Sequence, residues 1–240
     1  MTRECAVDYE KIKKYINDYC LSGNLSEEQY TSSLKLIHKC YFTAVTWNAE
    51  LMHNKSLFLK TYKDTNDDII YRITESVSDL GSSLFNWTNG NYKASRVMLR
   101  VAIENFVRSI SSIENKDQLT EKNVYKLFDH ASPQNIFSGN LIVKKCYETL
   151  HSDYKILCED AHTAALQNMA HITSLADLPT FDENKSEETT KIFVRVARNI
   201  TTMFCIIFNA FYHKMHHRNR ENILNSLSRS VKPHIVAPQS

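Results

Sequence analysis

The chain has few of the residues that interrupt regular structure, with four Gly and four Pro among its 240 residues. Both residue types break helices, because Gly is too flexible and Pro lacks the backbone donor that a helix interior requires. Hydrophobic residues make up 42% of the chain, enough to bury a sizeable core and to exclude disorder for most of it. We therefore predict an all-α fold of long helices joined by few turns.

The sequence also lacks the signatures of a secreted or membrane protein. Its six cysteines are scattered, with no C-x-x-C pair, which fits a reduced compartment better than a disulfide scaffold. The first residues contain no apolar signal-peptide core, and the longest apolar run, Ile200 to Tyr212, is too short to span a bilayer. We predict a cytoplasmic protein that has no membrane partner.

Neither sign of charge dominates, and the net charge of +2 gives no argument for a nucleic-acid partner from the whole chain. The charge is unevenly distributed, however. Between Lys191 and Ser240 eight basic residues stand against one acid, Glu221, and eight minus one gives a local balance of +7. Such a segment would contact phosphates, bind an acidic partner or simply face water. The candidates for nucleic-acid contact are Arg195, Arg198, Lys214, Arg218 and Arg220.

Apolar residues recur at helical spacing along most of the chain, and they predict an antiparallel bundle of about seven to eight helices. Two long helices, near Ser26 to Tyr62 and near Thr189 to Ser228, form its frame. The first is predicted to begin at a capping box, in which Ser26 and Gln29 each satisfy a backbone amide at the helix end. Asn91 is the predicted cap of a central helix.

The domain organisation follows from these helices. Residues 1–65 are predicted to form an N-terminal helical hairpin, and residues 66–230 a bundle that makes one continuous globular unit with it. Residues 231–240, where Pro233 prevents a long helix from continuing, are predicted to be a flexible tail. A further boundary between two helices is expected near Ser152.

The segment "YKASRVMLRVAIENFVRSIS", from Tyr92 to Ser111, carries a polar row in apolar surroundings. The row repeats at every fourth position and, at about 3.6 residues per turn, stays on one side of a helix. Its members are Arg96, Arg100, Glu104 and Arg108. Two interpretations are open. Either the row faces water as a ladder of i,i+4 ion pairs, or part of it points inward, where the charges must pair and would line a polar pocket.

Together with "YKILCEDAHTA" further along the chain, this segment resembles the helical-bundle proteins of the HEPN superfamily. Those proteins carry an L-R-x-x-I/L-E helix and a later Y-x-x-L-x-x-x-x-H segment, and the similarity extends roughly from Asp67 to His217. The matching residues are Leu99, Arg100, Ile103, Glu104, Tyr154, Leu157 and His162. The resemblance implies a ribonuclease, a toxin or a component of a bacterial anti-phage or mobile-element system. It also implies contact with RNA or a nucleoprotein, and helix-mediated dimers.

The departure from the superfamily pattern bears on catalysis. Catalytic members carry an R-x(4 to 6)-H motif, in which the Arg polarises the phosphate and the His carries the proton for attack by the RNA 2′-hydroxyl. Arg198 and Asn199 begin in that style, but no histidine follows at the required distance. A composite site would then consist of Arg100, Glu104 and His162. In it Arg100 or Arg198 would balance phosphate charge, His162 would transfer the proton, and Glu104 would orient an arginine.

Two other functions remain open at this point. A non-enzymatic scaffold, whose long helices pair with a second copy or another subunit, would account for the missing motif. A small-molecule pocket along the Arg/Glu row is the other. Cys158 and His162 share a helix face, with Cys146, His151 and His171 nearby in sequence, but an isolated i,i+4 Cys/His pair is common by chance. His213 also shares a face with His216 or His217, but no acidic or Cys partner stands at matching spacing. We therefore predict no metal site and no cofactor.

Overall fold

The computed structural model describes residues 2–19, 21–161 and 181–237, and its regular structure is helical. Within these residues there are twelve α-helices and two short 3-10 helices, and there is no strand. The predicted all-α class is confirmed. The α-helices are α1 Arg3–Asp18, α2 Glu28–His53, α3 Lys55–Thr61, α4 Asp67–Thr88, α5 Tyr92–Glu114, α6 Val124–Ala131, α7 Asn135–Ser138, α8 Leu141–Ala161, α9 Glu183–Ile207, α10 Asn209–Lys214, α11 His217–Ser226 and α12 Lys232–Val236.

The helix count exceeds the predicted seven to eight in the described part of the chain, because four of the twelve helices are short, with four to seven residues each. Two of them arise from breaks in the predicted long helices. The stretch from Ser26 to Tyr62 divides at Asn54, whose side-chain amide donates to the Glu50 carbonyl oxygen at 3.2 Å. The stretch from Thr189 to Ser228 divides at Phe208 and again at Met215, where the backbone is extended.

Side-chain caps explain where several helices begin. The prediction for α5 is confirmed, since the Asn91 side chain accepts from the Ala94 amide at 3.4 Å. The predicted capping box at Ser26 is wrong, because the Ser26 hydroxyl donates to the Gly23 carbonyl and the α2 start has no side-chain cap. Ser26 closes a preceding 3-10 turn, and its side chain is therefore occupied there.

Two further boundaries differ from the sequence prediction. The last long helix starts at Glu183, before the predicted Thr189, because the Asp182 carboxylate accepts from the Lys185 amide at 3.0 Å and caps it. The expected boundary near Ser152 does not exist, since α8 continues through it.

The central helix of the molecule is α5, which packs against α4, α8 and α9, while α2 packs against α4, α9 and α11. The buried apolar residues form one continuous core, which includes Ile16 of α1 and Ile235 of α12. Its largest aromatic cluster surrounds Trp47, whose ring stacks on Phe204 with the ring centroids 4.3 Å apart. Residues 1–65 therefore share their core with the helices that follow.

Part of the segment predicted as a flexible tail is ordered by its own packing. Within residues 231–240, Lys232–Val236 forms α12, and the Ile235 side chain is fully buried. The Asn209 side-chain amide donates to the Ile235 carbonyl oxygen at 2.8 Å. This pairing satisfies a buried backbone acceptor and attaches the C-terminal segment to the bundle.

The pairing state of the cysteines and the length of the apolar helices relate to the predicted cytoplasmic location. Cys5, Cys40, Cys146, Cys158 and Cys205 are free thiols. In the part of the chain that the structure describes, no helix has the combination of length and apolar character needed to cross a bilayer. The cytoplasmic location stays a prediction.

Candidate functional site

The polar row lies on α5 at the edge of the core and is half-buried along its length. The side chains of Arg96 and Glu104 are each 17% exposed, and that of Arg100 is 25% exposed. Neither sequence interpretation describes this row fully, since its residues do not form a solvated face. They lie where α5 meets its neighbours, and each makes a contact outside α5 or within the row.

Arg100, Glu104 and Tyr154 form one hydrogen-bonded cluster between α5 and α8. The Arg100 Nε donates to Glu104 Oε1 at 2.9 Å, and the Tyr154 hydroxyl donates to the same oxygen at 3.0 Å. The Arg100 guanidinium carbon also lies 5.9 Å from the centroid of the Tyr154 ring, within the range of a cation–π contact. The three side chains therefore act as a polar tie between two helices.

The electrostatics of this cluster keep Tyr154 a donor. Burial, followed by a hydrogen bond with Cys158 and the charge of Glu104, raises the pKa of Tyr154 far above its usual range. A phenol that stays protonated can donate to a carboxylate and cannot serve as a base near neutral pH. His162, the predicted proton carrier, lies outside the described residues. The structure thus places the Arg and Glu of the predicted composite site together and adds Tyr154 to them.

The ends of the polar row bind other elements. The Arg96 guanidinium lies 3.6 Å from the Glu188 carboxylate of α9. At the other end, Arg108 donates to the carbonyl oxygens of Gln118 and Glu121, in the connection after α5. These contacts assign the outer arginines to structural roles, because their donors point to protein acceptors.

A second buried polar cluster, between α4 and α5, was not predicted. Asp79 is 7% exposed and accepts from the Asn105 side-chain amide at 2.9 Å, while Arg72 donates to Asn105 Oδ1 at 3.1 Å. Burial raises the pKa of the Asp79 carboxyl to about 6. A sequence signal existed, since Asp79 follows Ser76 by three positions and precedes Ser83 by four, and this spacing places the three polar residues on one face of a helix.

Between α1 and α2, a thiol and a carboxylate of α1 both contact an imidazole of α2. Cys5 Sγ lies 4.0 Å from His38 Nδ1, and His38 Nε2 lies 3.1 Å from an Asp8 carboxylate oxygen. The order matches that of a cysteine nucleophile with its base and orienting acid. Cys5 is only 1% exposed, however, and burial raises its pKa to about 11 and lowers the pKa of His38. A buried neutral thiol is not a nucleophile, so this cluster attaches α1 to α2.

The five predicted nucleic-acid contacts fall into two groups. In the first, Arg195 makes a bidentate pair with Asp153, which is 1% exposed, so most of its charge is compensated. Arg198 is half-buried in a cavity beside α9 and is not on an outer surface. At about 1.5 Å of rise per residue, Arg198 and the end of α9 at Ile207 are roughly 14 Å apart.

The second group lies beyond α9. Lys214 and Arg218 are exposed, and Arg220 is half-buried with its Nε enclosed and without an acceptor in the described protein. The Lys214 ammonium lies 3.4 Å from the Thr61 hydroxyl, and the exposed Lys60 and Lys63 are within two residues of Thr61 in the sequence. We call the exposed cationic and histidine side chains of this region the α10–α11 basic surface. Its exposed residues are Lys60, Lys63, Lys214, His216, His217 and Arg218.

The geometry of the basic surface depends on a buried acid. Glu50 of α2 is 7% exposed, and its Oε1 accepts from the His216 amide at 3.3 Å and from the Asn219 side chain. The first of these bonds satisfies an orphan backbone donor at the start of α11, where a carboxylate also meets the positive end of the helix dipole. Glu50 therefore fixes the helix that presents Arg218.

The histidines of this surface do not assemble a metal site. The rings of His216 and His217 have centroids 4.4 Å apart. A group of three or more side chains able to hold a metal ion is not present among residues 2–19, 21–161 and 181–237.

Comparisons of the chain with models of protein families, with curated proteins and with solved structures found no match. Membership of the HEPN superfamily stays a prediction from the residues that resemble it.

Proposed function

We propose that this protein is a HEPN-like helical bundle that binds RNA through the α10–α11 basic surface, as an effector or accessory component of a bacterial anti-phage defence or toxin system. The observation that carries this proposal is that the charges of Lys214 and Arg218 are exposed and uncompensated by a carboxylate of the described residues. Both are exposed, and neither has a carboxylate within ion-pair distance in the part of the chain that the structure describes. Cations in this state are available to phosphates, and each contact would release counterions.

The chain offers a matched pair of variants for the test. Lys214→Glu with Arg218→Glu reverses two charges on the basic surface, and Lys144→Glu with Lys145→Glu makes the same change in net charge on exposed positions of α8. Affinity for a fluorescent single-stranded RNA would be measured at several salt concentrations, starting near 100 mM. We expect the first variant to weaken binding at least about tenfold and to flatten the salt dependence by about one to two in slope. The control should keep wild-type affinity. Equal losses in both variants, or binding insensitive to salt, would refute the RNA interface.

Any catalysis would be metal-independent RNA cleavage. In that reaction Arg100 would balance phosphate charge, oriented by Glu104, and His162 would transfer a proton. The hydrogen bond from Arg100 to Glu104 supports the orienting role. Incubation of RNA with the protein in the presence of a metal chelator tests this chemistry. Cleavage by the wild type that disappears in His162→Ala supports it. If RNA stays intact with the wild-type protein, the protein binds RNA without cleaving it.

A second candidate function, a scaffold that pairs with a second copy of itself, is favoured by exposed aromatic side chains. Tyr19 and Phe85 are 65% and 55% exposed, and Tyr15 lies between them with ring centroids 4.8 and 5.6 Å away. Exposed aromatic groups of this kind are enriched at protein interfaces. Sedimentation of the wild type and of Phe85→Glu decides: a dimer that dissociates in the variant supports the scaffold, and a monomeric wild type excludes self-association.

A further inference from the structure

A cavity of about 430 Å³ lies between α2, α8, α9 and the segment that joins α11 to α12. Its volume falls within the range of sites for small organic ligands. α9 supplies two adjacent stripes of side chains, and the opposite walls are mainly apolar. The lining residues from α9 are Thr190, Lys191, Val194, Arg195, Arg198, Asn199 and Thr202, and those from the other elements are Leu36, Cys146, Ser228 and Val231.

The charges that line this cavity are unbalanced. The lining contains three cations and no acidic residue. Lys191 pairs with Glu187 at 2.7 Å, and Arg195 is held by Asp153. Arg198, by contrast, has no carboxylate within ion-pair distance among the described residues. One positive charge in the cavity is therefore left without a counter-charge from the protein.

The immediate neighbours of Arg198 do not compensate this charge. The guanidinium interacts with the thiol of Cys40, which is 1% exposed, and burial raises the pKa of that thiol to about 11. Cys40 is therefore neutral at physiological pH. The Arg198 Nε is enclosed and finds no acceptor in the described protein, and the same holds for the Asn199 side-chain amide nitrogen. Two neighbouring residues thus hold unused hydrogen-bond donors beside an apolar wall.

We propose that this cavity binds a small organic monoanion, a carboxylate on an apolar body. A half-buried guanidinium requires a counter-charge, and its planar fork matches the two oxygens of a carboxylate. One uncompensated positive charge calls for one negative charge, which favours a monocarboxylate over a phosphate dianion. Asn199 would donate to the same head group after a small side-chain rotation, and the body would lie against Leu36, Val194 and Val231. This site is independent of the RNA surface on α10 and α11.

The experiment uses three probes with one tail: octanoate, octyl phosphate and 1-octanol. Isothermal titration calorimetry of the wild-type chain should give octanoate a dissociation constant below about 1 mM. Octanol should bind at least about tenfold more weakly, because it cannot balance the charge of Arg198. A preference for octyl phosphate over octanoate would overturn the monocarboxylate assignment, and equal binding of octanoate and octanol would overturn the role of the charge.

Variants locate the site. Arg198→Met keeps the length of the side chain and removes its charge, so octanoate binding should fall at least about tenfold, while Arg229→Met, an exposed control on the neighbouring segment, should leave it unchanged. Val194→Trp keeps Arg198 and fills the space for the tail, and it should abolish binding. Octanoate affinity that survives Val194→Trp would place the ligand elsewhere. If Arg198→Met does not fold, Val194→Trp and the comparison of octanoate with octanol decide the question.

The variant of the RNA surface separates this proposal from the proposed function. Lys214→Glu with Arg218→Glu should bind octanoate like the wild type, since neither residue lines the cavity. A parallel loss of RNA and octanoate binding in that variant would mean that the two sites are one, and would refute the cavity as a separate site.

Discussion

Glu104 accepts two hydrogen bonds on a single carboxylate oxygen, from Arg100 and from Tyr154. The i,i+4 spacing of Arg100 and Glu104 already indicated their pairing in the sequence. The contact with Tyr154 could not be derived in the same way, because it depends on how α5 and α8 approach each other in space. Likewise, the sequence gives no measure of burial, and it left both a solvated row and an inward one open.

The Arg100–Glu104 pair should be strongly coupled. Glu104→Leu leaves a half-buried guanidinium without its partner and should reduce the free energy of unfolding by roughly 1–3 kcal/mol. The double variant Arg100→Met with Glu104→Leu should recover part of that loss, because both charges are then removed. Urea denaturation of the wild type, the two single variants and the double variant gives the coupling free energy.

The exposed pair Glu187 and Lys191 on α9 is the matched control. It has the same i,i+4 spacing, and its side chains are 53% and 64% exposed. Its coupling free energy should be no more than about 0.5 kcal/mol, since water screens it. If the two pairs proved equally coupled, the partial burial of the Arg100–Glu104 pair would have no energetic effect.

Asp79 should make the stability fall as pH rises between about 4 and 6. Its carboxyl has an ordinary pKa of 3.8 and a folded-state pKa of about 6, so the folded protein binds the proton more tightly in that interval. Asp79→Asn removes the buried charge and keeps an acceptor for Asn105. Near pH 8 the variant should be more stable than the wild type by roughly 1–3 kcal/mol, and near pH 4 the difference should be small.

Thermal unfolding across this pH range tests the prediction, with Glu75→Gln as the control. Glu75 is exposed on the same helix, and its charge contributes to the raised pKa of Asp79, so the control should give a smaller gain. A destabilised Asp79→Asn variant near pH 8 would show that the carboxylate is held as an ion by contacts that outweigh its burial.

Helix ends could be predicted from the sequence where the capping residue lies next to the helix. Asn91 caps α5 as its sequence position indicated, because an N-cap needs only the next few residues. The capping box at Ser26 failed for a local reason that its motif does not contain, a 3-10 turn that uses the same hydroxyl. At the break after α2 the Asn54 side chain bonds to Glu50, four residues earlier, whereas the start of α11 after Met215 bonds to the same Glu50 from 166 residues away. Apolar periodicity continues through the break at Asn54 and gives no sign of it.

Glu50 should control the start of α11. Glu50→Ala removes the acceptor for the His216 amide and the Asn219 side chain, and should destabilise the protein by about 1–2 kcal/mol. Hydrogen exchange of amides at the start of α11 should accelerate more than exchange in α5, which Glu50 does not contact. Glu50→Gln, which keeps an oxygen acceptor, should have a smaller effect. Uniform acceleration in both helices would mean that Glu50 contributes to global stability only.

The two tryptophans report on the contact between residues 1–65 and the rest of the chain. Trp47 of α2 stacks on Phe204 of α9, and Trp87 of α4 stacks on Tyr30 of α2 with ring centroids 5.0 Å apart. Both indoles are fully buried. Their fluorescence therefore changes when the N-terminal helices separate from α4 and α9.

Residues 1–65 should unfold together with the remaining helices, because the two parts share one apolar core. In urea, the midpoint measured by tryptophan fluorescence should then coincide with the midpoint measured by helical circular dichroism. The single-tryptophan variants Trp47→Phe and Trp87→Phe should each give coincident midpoints, shifted only by their own loss of packing. A fluorescence transition at lower urea than the loss of helix would mean that the N-terminal hairpin detaches first and is a separate folding unit.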